Sequence, residues 1–124
     1  MTDLEVLWLF SNQLTGSLPV EWGQMTSLTE LAVGSNNLSG RLPSSFGQMM
    51  DLELLGLFAN QYSNQLTGSL PSEWGQMTSL TELGLYENKL NGRLPSSFGQ
   101  MTDLELLYLY SNQLTGSGIV LVPK

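Results

Sequence analysis

The chain has 124 residues, of which 41% are hydrophobic and only 12% are charged. This length is enough for one hydrophobic core but not for two, so we expect a single domain spanning residues 1–124. Eleven acidic residues against four basic ones give a net charge of −7. Because nucleic acids and anionic lipid surfaces attract basic stripes, and because the apolar runs are too short to span a bilayer, we expect neither a nucleic-acid partner nor membrane insertion.

Cysteine and histidine are both absent from the sequence. Their absence removes disulfides, thiol nucleophiles, histidine general bases and the usual ligands of a zinc site. The sequence also contains no recognisable pair of a nucleophile and a base. We therefore expect a protein that has no catalytic residues, is not an enzyme and requires neither a metal nor a cofactor.

A repeat of 24 residues dominates the sequence, and an asparagine marks each copy. Asn12 and Asn36 are 24 residues apart, whereas the next step, to Asn64, is 28 residues. Four additional residues within 58–65 account for the longer step. We expect 59–62 to bulge after the third predicted strand and to leave either Asn60 or Asn64 in the asparagine column. The repeats are then 1–24, 25–48, 49–76, 77–100 and 101–124.

The pattern within each repeat predicts one strand and one short helical turn. Leu4, Leu7 and Leu9 show the alternation of a strand with one inward face. A small polar residue and a glycine follow, and glycine permits the positive φ of a sharp corner. A Leu-Pro pair then begins a helical turn. The predicted strands lie near Val6–Leu9, Glu30–Val33, Leu54–Leu57, Glu82–Leu85 and Leu106–Leu109. Aromatic residues recur at a fixed offset, and we expect them to be buried with the inward leucines: Trp22, Phe46, Trp74 and Phe98.

The combined pattern L-x-x-L-x-L-x-x-N-x-L-T/S-G-x-L-P-x-x-aromatic-G-x-M resembles the plant-type leucine-rich repeat from Met1 to about Ser117. The resemblance implies an α/β solenoid, in which a right-handed coil carries a five-stranded parallel sheet on its concave side and short 3-10 or turn segments on its convex side. It implies an extracellular or cell-surface location, although no signal peptide is visible. It also implies an asparagine ladder in which each amide bonds the backbone of the next coil: Asn12, Asn36, Asn64, Asn88 and Asn112.

Two departures from the family pattern concern the core and the ends. Aromatic residues and methionines replace the usual leucines after the Leu-Pro pair, and the family's cysteine-bearing caps are missing. The chain begins inside a repeat, so we expect a fragment of a longer array. Uncapped ends expose core residues, which predicts end-to-end self-association.

Six of the eleven aromatic residues are predicted to face outward from the concave sheet. Flat rings on a rigid sheet provide contact area at a small entropy cost, which is typical of sites that bind proteins, peptides or glycans. Alternatively, the rings stack on one another and only hold neighbouring strands together. The six are Trp8, Phe10, Phe58, Tyr86, Tyr108 and Tyr110.

A row of small residues crosses the middle of the predicted sheet, from Trp8 through Ala32, Gly56 and Gly84 to Tyr108. Its outer rings are about 19 Å apart over four strand steps. Glycine within a strand often marks the close approach of a ligand backbone, so the row predicts a trough. Alternatively, the glycines are neutral substitutions in a sheet that its other residues hold.

Glu30 and Glu82 are predicted to lie two strands apart on the same face, at roughly 10 Å. This separation is near that of the acid and base in an inverting glycosidase, but an open sheet leaves both carboxylates solvated. We therefore expect the two glutamates to set the polarity of a ligand site. Exposed acidic pairs at the rim, such as Asp51 and Glu53, are expected to be solvated rather than to bind calcium.

The sequence thus favours a non-catalytic module that binds a protein, peptide or glycan through its concave sheet. The alternative is a structural or surface-coat repeat protein, which includes one that orders ice or water. Interrupted threonine columns would carry the second function: Thr15, Thr67 and Thr115, and Thr26, Thr78 and Thr102.

Overall fold

The computed structural model describes residues 3–58 and 65–115, which form short strands and 3-10 helices. No helix in these two ranges is long and apolar enough to cross a membrane. The strands are β1 (Val6–Trp8), β2 (Thr15–Ser17), β3 (Glu30–Ala32), β4 (Asn37–Arg41), β5 (Leu54–Gly56), β6 (Gln65–Ser69), β7 (Glu82–Gly84), β8 (Lys89–Arg93), β9 (Leu106–Tyr108) and β10 (Gln113–Thr115). The 3-10 helices are Val20–Gln24, Ser44–Gln48, Ser72–Gln76 and Ser96–Gln100.

The first sheet contains the five strands that the leucine pattern predicts. Its order is β1-β3-β5-β7-β9, and all neighbouring strands are parallel. Each strand begins at the predicted residue and ends one residue earlier. Equivalent residues pair directly, as Leu7 does with Leu31, so successive coils stack without an offset in this sheet.

A second parallel sheet, which the pattern does not predict, has the order β10-β8-β6-β4-β2. It lies where the sequence predicts only corners, because four of its strands contain a glycine with positive φ, such as Gly40 in β4 at 84°. The strand pairs across this glycine nonetheless, with an offset: Gly40 pairs with Leu66 rather than with Gly68. The 3-10 helices of the other side lie where the Leu-Pro pairs predict them.

The hydrophobic core is fully packed in the middle coils and less so in the outer ones. Leu31, Leu55 and Leu83 are all buried, whereas Leu7 and Leu107, on the first and last strands of the first sheet, are partly buried. Their coils have a described neighbour on one side only. The prediction that every inward leucine is buried is therefore wrong for these outer coils.

The aromatic column is likewise less buried in the first coil than in the coils that follow it. Phe46, Trp74 and Phe98 are buried as predicted, but Trp22 in the first coil is half-buried. Phe46 and Trp74 stack with ring centroids 6.0 Å apart and planes within 8°. The Trp74 Nε1 donates a 2.8 Å hydrogen bond to the carbonyl of Pro43, so this ring also satisfies a buried backbone acceptor.

The asparagine side chains join successive coils through their backbones. Asn36 is fully buried; its Nδ2 donates to the carbonyl of Leu9 at 3.0 Å, and its Oδ1 accepts from the amide of Leu14 at 3.1 Å. Asn88 and Asn112 make equivalent pairs of bonds. Each amide thus reaches the preceding coil, which is the direction opposite to the one expected. Asn64 and the predicted bulge at 59–62 lie outside the described residues.

Glycines in the 3-10 helices allow the coils to approach closely where no strands pair. A Cβ on Gly47 would meet the carbonyl oxygen of Glu73 at a distance that real Cβ atoms do not adopt, and Gly23 and Gly75 face equivalent carbonyls. These are backbone atoms, so they cannot move aside as a flexible side chain would. Glycine is therefore required by the stacking distance at these positions.

Replacement of Gly47 by alanine should destabilise the fold by about 2–3 kcal/mol, because the added methyl overpacks against a carbonyl. Gly99→Ala is the matched control, since a Cβ on Gly99 has no atom within 4 Å. We expect its effect to stay within about 0.5 kcal/mol. Urea unfolding measures both changes, and equal losses in the two variants would contradict the proposed contact between coils.

Replacement of Asn36 by alanine should cost about 2–4 kcal/mol, because it leaves the carbonyl of Leu9 and the amide of Leu14 without this partner. Asn12 provides the control, since its exposed amide bonds only Leu9 and Phe10 of its own turn. Asn12→Ala should cost about 1 kcal/mol or less. Unfolding free energies that rank the two variants in the reverse order would contradict a ladder between coils.

Candidate functional site

The register of the first sheet brings the predicted surface residues into two rows. The middle row consists of direct partners on adjacent strands: Trp8, Ala32, Gly56, Gly84 and Tyr108. The row before it alternates apolar and acidic side chains: Val6, Glu30, Leu54, Glu82 and Leu106. Since neighbouring strands lie about 4.8 Å apart, side chains of one row are in reach of one ligand.

A groove of about 370 Å³ lies over these rows, and we call it the first-sheet groove. This volume is in the range of sites that take a small molecule or a few side chains of a larger partner. All but one of the eight predicted site residues line it; Tyr110 does not. The lining consists of Trp8, Phe10, Glu30, Ala32, Leu54, Gly56, Phe58, Glu82, Gly84, Tyr86 and Tyr108.

Trp8 and Phe10 form the most exposed end of the first-sheet groove. They are 57% and 47% exposed, and their ring centroids are 6.2 Å apart with planes tilted by 48°. The Trp8 Nε1 donates a hydrogen bond to Glu30 Oε1 on the next strand at 3.1 Å. This bond orients the indole while most of its surface stays available for contact.

Rings toward the last strand of the first sheet stack on one another. Phe58 and Tyr86 have centroids 4.9 Å apart with planes within 8°, and Tyr86 and Tyr110 are 4.7 Å apart within 9°. Tyr108 meets Tyr86 edge-on at 6.0 Å. The alternative, in which the rings stack on one another and hold neighbouring strands together, therefore applies to the third, fourth and fifth coils. Trp8 and Phe10 of the first coil stand apart from this stack.

The glycine row lines the first-sheet groove, as expected for a trough, but the ring of Phe58 lies over part of the row. A Cβ on Gly56 would lie 2.9 Å from Phe58 Cε1, and one on Gly34 would lie 2.8 Å from Phe58 Cδ2. On Gly84 the corresponding distance to Phe58 Cδ1 is 3.3 Å. The glycines thus accommodate a ring of the chain itself. Bulky replacements at Gly56 would therefore displace the ring of Phe58.

Glu30 and Glu82 are half-buried in the groove lining and flank Leu54 across two strand steps. Within residues 3–58 and 65–115, these two included, no three acidic residues lie close enough together to hold a metal ion. The rim pair Asp51 and Glu53 is exposed, as expected for solvated carboxylates. The arrangement therefore offers rings and two separate negative charges to a ligand.

Sequence reasoning missed two features of this groove. Leu54 lines its floor although the pattern marks it only as an outward residue of a strand. Phe58 leans over the glycine row, and the one available signal was its position two residues after Gly56, on the same face of the strand.

Comparison with known proteins places this architecture in a family. The family model described as Leucine Rich Repeat matches residues 3–25, 27–49 and 79–101, which together make up more than half of the chain. None of the curated proteins shows significant sequence similarity to the chain.

Solved structures give the same result. The structure of PEPR1–AtPEP1 matches with a TM-score of 0.87 and 36% identity, covering 93% of this chain and 16% of that one. The ectodomain of the Arabidopsis receptor kinase HAESA, in complex with an IDA peptide hormone, matches with a TM-score of 0.82 and 34% identity over 90% and 18% of the two chains. A plant ice-binding protein matches with a TM-score of 0.80 and 34% identity over 91% and 36%.

The chain spans about a sixth to a third of the length of these three proteins. Both sheets, the asparagine bonds and the family model agree, and the chain belongs to the leucine-rich-repeat family.

Proposed function

We propose that the chain is a non-catalytic binding module that holds a peptide or protein segment in the first-sheet groove. The observation that carries this proposal is the exposed pair of rings, Trp8 and Phe10, at one end of a groove on a hydrogen-bonded sheet. Exposed aromatic residues that a rigid element presents are the side chains on which binding energy concentrates in protein interfaces.

The ring stack on the opposite side supports the proposal by holding the groove in shape. Phe58, Tyr86 and Tyr110 link three neighbouring coils through stacked faces. A surface that is ordered before binding loses little conformational entropy when a ligand arrives. The stack therefore favours binding, even though its members make most of their contacts with one another.

One of the similar structures supports a peptide as the ligand class. The HAESA structure is described as the leucine-rich-repeat ectodomain of a receptor kinase in complex with a peptide hormone ligand. Flat rings also stack on sugars, so a glycan is the alternative ligand that the experiment below distinguishes.

A structural repeat that orders ice or water is the second candidate function, and the similarity to a plant ice-binding protein favours it. Exposed hydroxyls of Thr15, Ser39 and Thr67 lie on the strands of the second sheet. However, Arg41 and Lys89 pair with Thr67 on either side. Charged side chains thus interrupt the hydroxyl rows, so we favour the binding module. End-to-end self-association stays a prediction, which the partly buried leucines of the outer coils support.

The proposal predicts that Trp8→Ala weakens binding of any peptide found on a peptide and glycan array. Loss of one ring from a well-packed contact costs about 2 kcal/mol, which is roughly 30-fold in Kd. Tyr108→Ala should weaken the same ligand. Fluorescence anisotropy on purified variants, whose circular dichroism matches the wild type, measures both effects.

Val20→Ala is the control, because Val20 is 59% exposed on a 3-10 helix outside the groove. Its affinity should equal that of the wild type. An unchanged affinity in both groove variants would place the binding surface elsewhere. Preferential capture of glycans that depends on Trp8 would retain the groove but overturn the peptide as its ligand.

A further inference from the structure

Basic and acidic side chains are concentrated on different sheets in the described part of the chain. The three basic residues within 3–58 and 65–115 all belong to the second sheet, with Arg41 in β4 and Lys89 and Arg93 in β8. Carboxylates occupy the first sheet and the residues just before its strands: Asp3, Glu5, Glu30, Asp51, Glu53, Glu82, Asp103 and Glu105. The electrostatic potential over the first-sheet groove is therefore negative, which favours approach of a cation.

Two of these carboxylates lie inside the groove rather than at its rim. Glu30 and Glu82 are half-buried in a lining that otherwise consists of rings, glycines, Ala32 and Leu54. The Glu30 carboxylate accepts a hydrogen bond from the indole of Trp8, whereas the carboxylate of Glu82 has no such ring donor beside it among the described hydrogen bonds. A half-buried carboxylate against apolar walls loses hydration, and a positively charged partner compensates for that loss.

Resting on the function proposed above, we propose that the segment held in the first-sheet groove is cationic and that its basic side chains pair with Glu30 and Glu82. Arginine matches this lining best, because its planar guanidinium stacks on an aromatic face while it forms paired hydrogen bonds with a carboxylate. Trp8 and Glu30 offer both surfaces side by side, as the 3.1 Å bond between them shows.

The separation of the two glutamates specifies the spacing of the basic residues. Two strand steps of about 4.8 Å place their backbones roughly 10 Å apart. A peptide in the polyproline II conformation rises about 3.1 Å per residue with three residues per turn, so residues i and i+3 lie on one side about 9 Å apart. A segment that crosses the strands in this form presents one arginine to each glutamate, with Leu54 beneath the residues between them.

The experiment measures the binding of a fluorescein-labelled peptide with the core Arg-Pro-Pro-Arg by fluorescence anisotropy. A second peptide carries citrulline at both arginine positions, which preserves the length and planar shape of the side chain but removes the charge and replaces one amino donor by a carbonyl oxygen. The protein variants are Glu30→Gln/Glu82→Gln and, as the matched control, Glu21→Gln/Glu73→Gln. Glu21 and Glu73 are exposed on 3-10 helices outside the groove, so both double variants have the same net charge.

The wild type should bind the arginine peptide at least tenfold more tightly than the citrulline peptide. Glu30→Gln/Glu82→Gln should abolish this difference and reduce the dependence of Kd on salt, whereas Glu21→Gln/Glu73→Gln should preserve both. Glutamine keeps an acceptor for the Trp8 indole, so circular dichroism and urea unfolding of the groove variant should match the wild type.

Three results would overturn the inference. Equal losses in the two double variants would show attraction to net charge alone. If both peptides bind equally and Trp8→Ala still weakens them, the groove remains the binding site but a positive charge is not what it recognises. Failure of both peptides to bind would also reject the cationic segment, and the peptide and glycan array would then decide on the proposed function separately.

Discussion

Hydrogen bonding between successive coils sets a stacking distance to which the other features of the molecule conform. Short parallel strands form hydrogen bonds between successive coils in both sheets. For example, the amide of Val33 donates to the carbonyl of Gly56 at 2.8 Å. Asn36 and Asn88 continue this bonding where the chain leaves the first sheet. On the 3-10 side, glycines permit the same close approach, and Ser45 donates its hydroxyl to the carbonyl of Val20 at 2.7 Å. At this stacking distance, the carbonyls that face Gly23, Gly47 and Gly75 leave no room for a larger residue.

The same distance determines the form of the first-sheet groove. Rings on adjacent strands stack at 4.9 and 4.7 Å, which is close to the separation of the strands themselves. The column that supplies this stack, from Phe10 to Tyr110, is interrupted only at Gly34. Phe58 leans into the space that a side chain on Gly34 would occupy, while Trp8 and Phe10 remain apart on the first coil. The missing ring at Gly34 therefore leaves room for Phe58 and separates Trp8 and Phe10 from the stack.

The repeat made much of the fold predictable, since alternation in Leu4, Leu7 and Leu9 fixes which face of each strand is inward. The second sheet was not predictable in this way, because a positive-φ glycine at its centre gives the pattern of a corner. For the candidate site, the rows across the sheet followed from the repeat, but the position of the Phe58 ring did not. The orientation of a side chain depends on the space that its neighbours leave, and the repeat period of the sequence does not specify that space. The partial burial of Trp22 depends on how many neighbouring coils cover its ring, and the pattern within one repeat does not give that number.

The most direct test of a cationic ligand in the groove follows the tryptophan indole resonances of ¹⁵N-labelled protein by NMR while the Arg-Pro-Pro-Arg peptide is added. Trp74 is an internal reference, because its indole is buried against the carbonyl of Pro43. The proposed geometry requires that the signals of the Trp8 indole and of the Glu30 and Glu82 amides shift as the peptide is added, while the Trp74 signal stays fixed. The shifts should saturate with the same Kd that fluorescence anisotropy gives. A stationary Trp8 signal accompanied by shifts in Thr15–Ser17 and Lys89–Arg93 would place the ligand on the second sheet and contradict the proposed site.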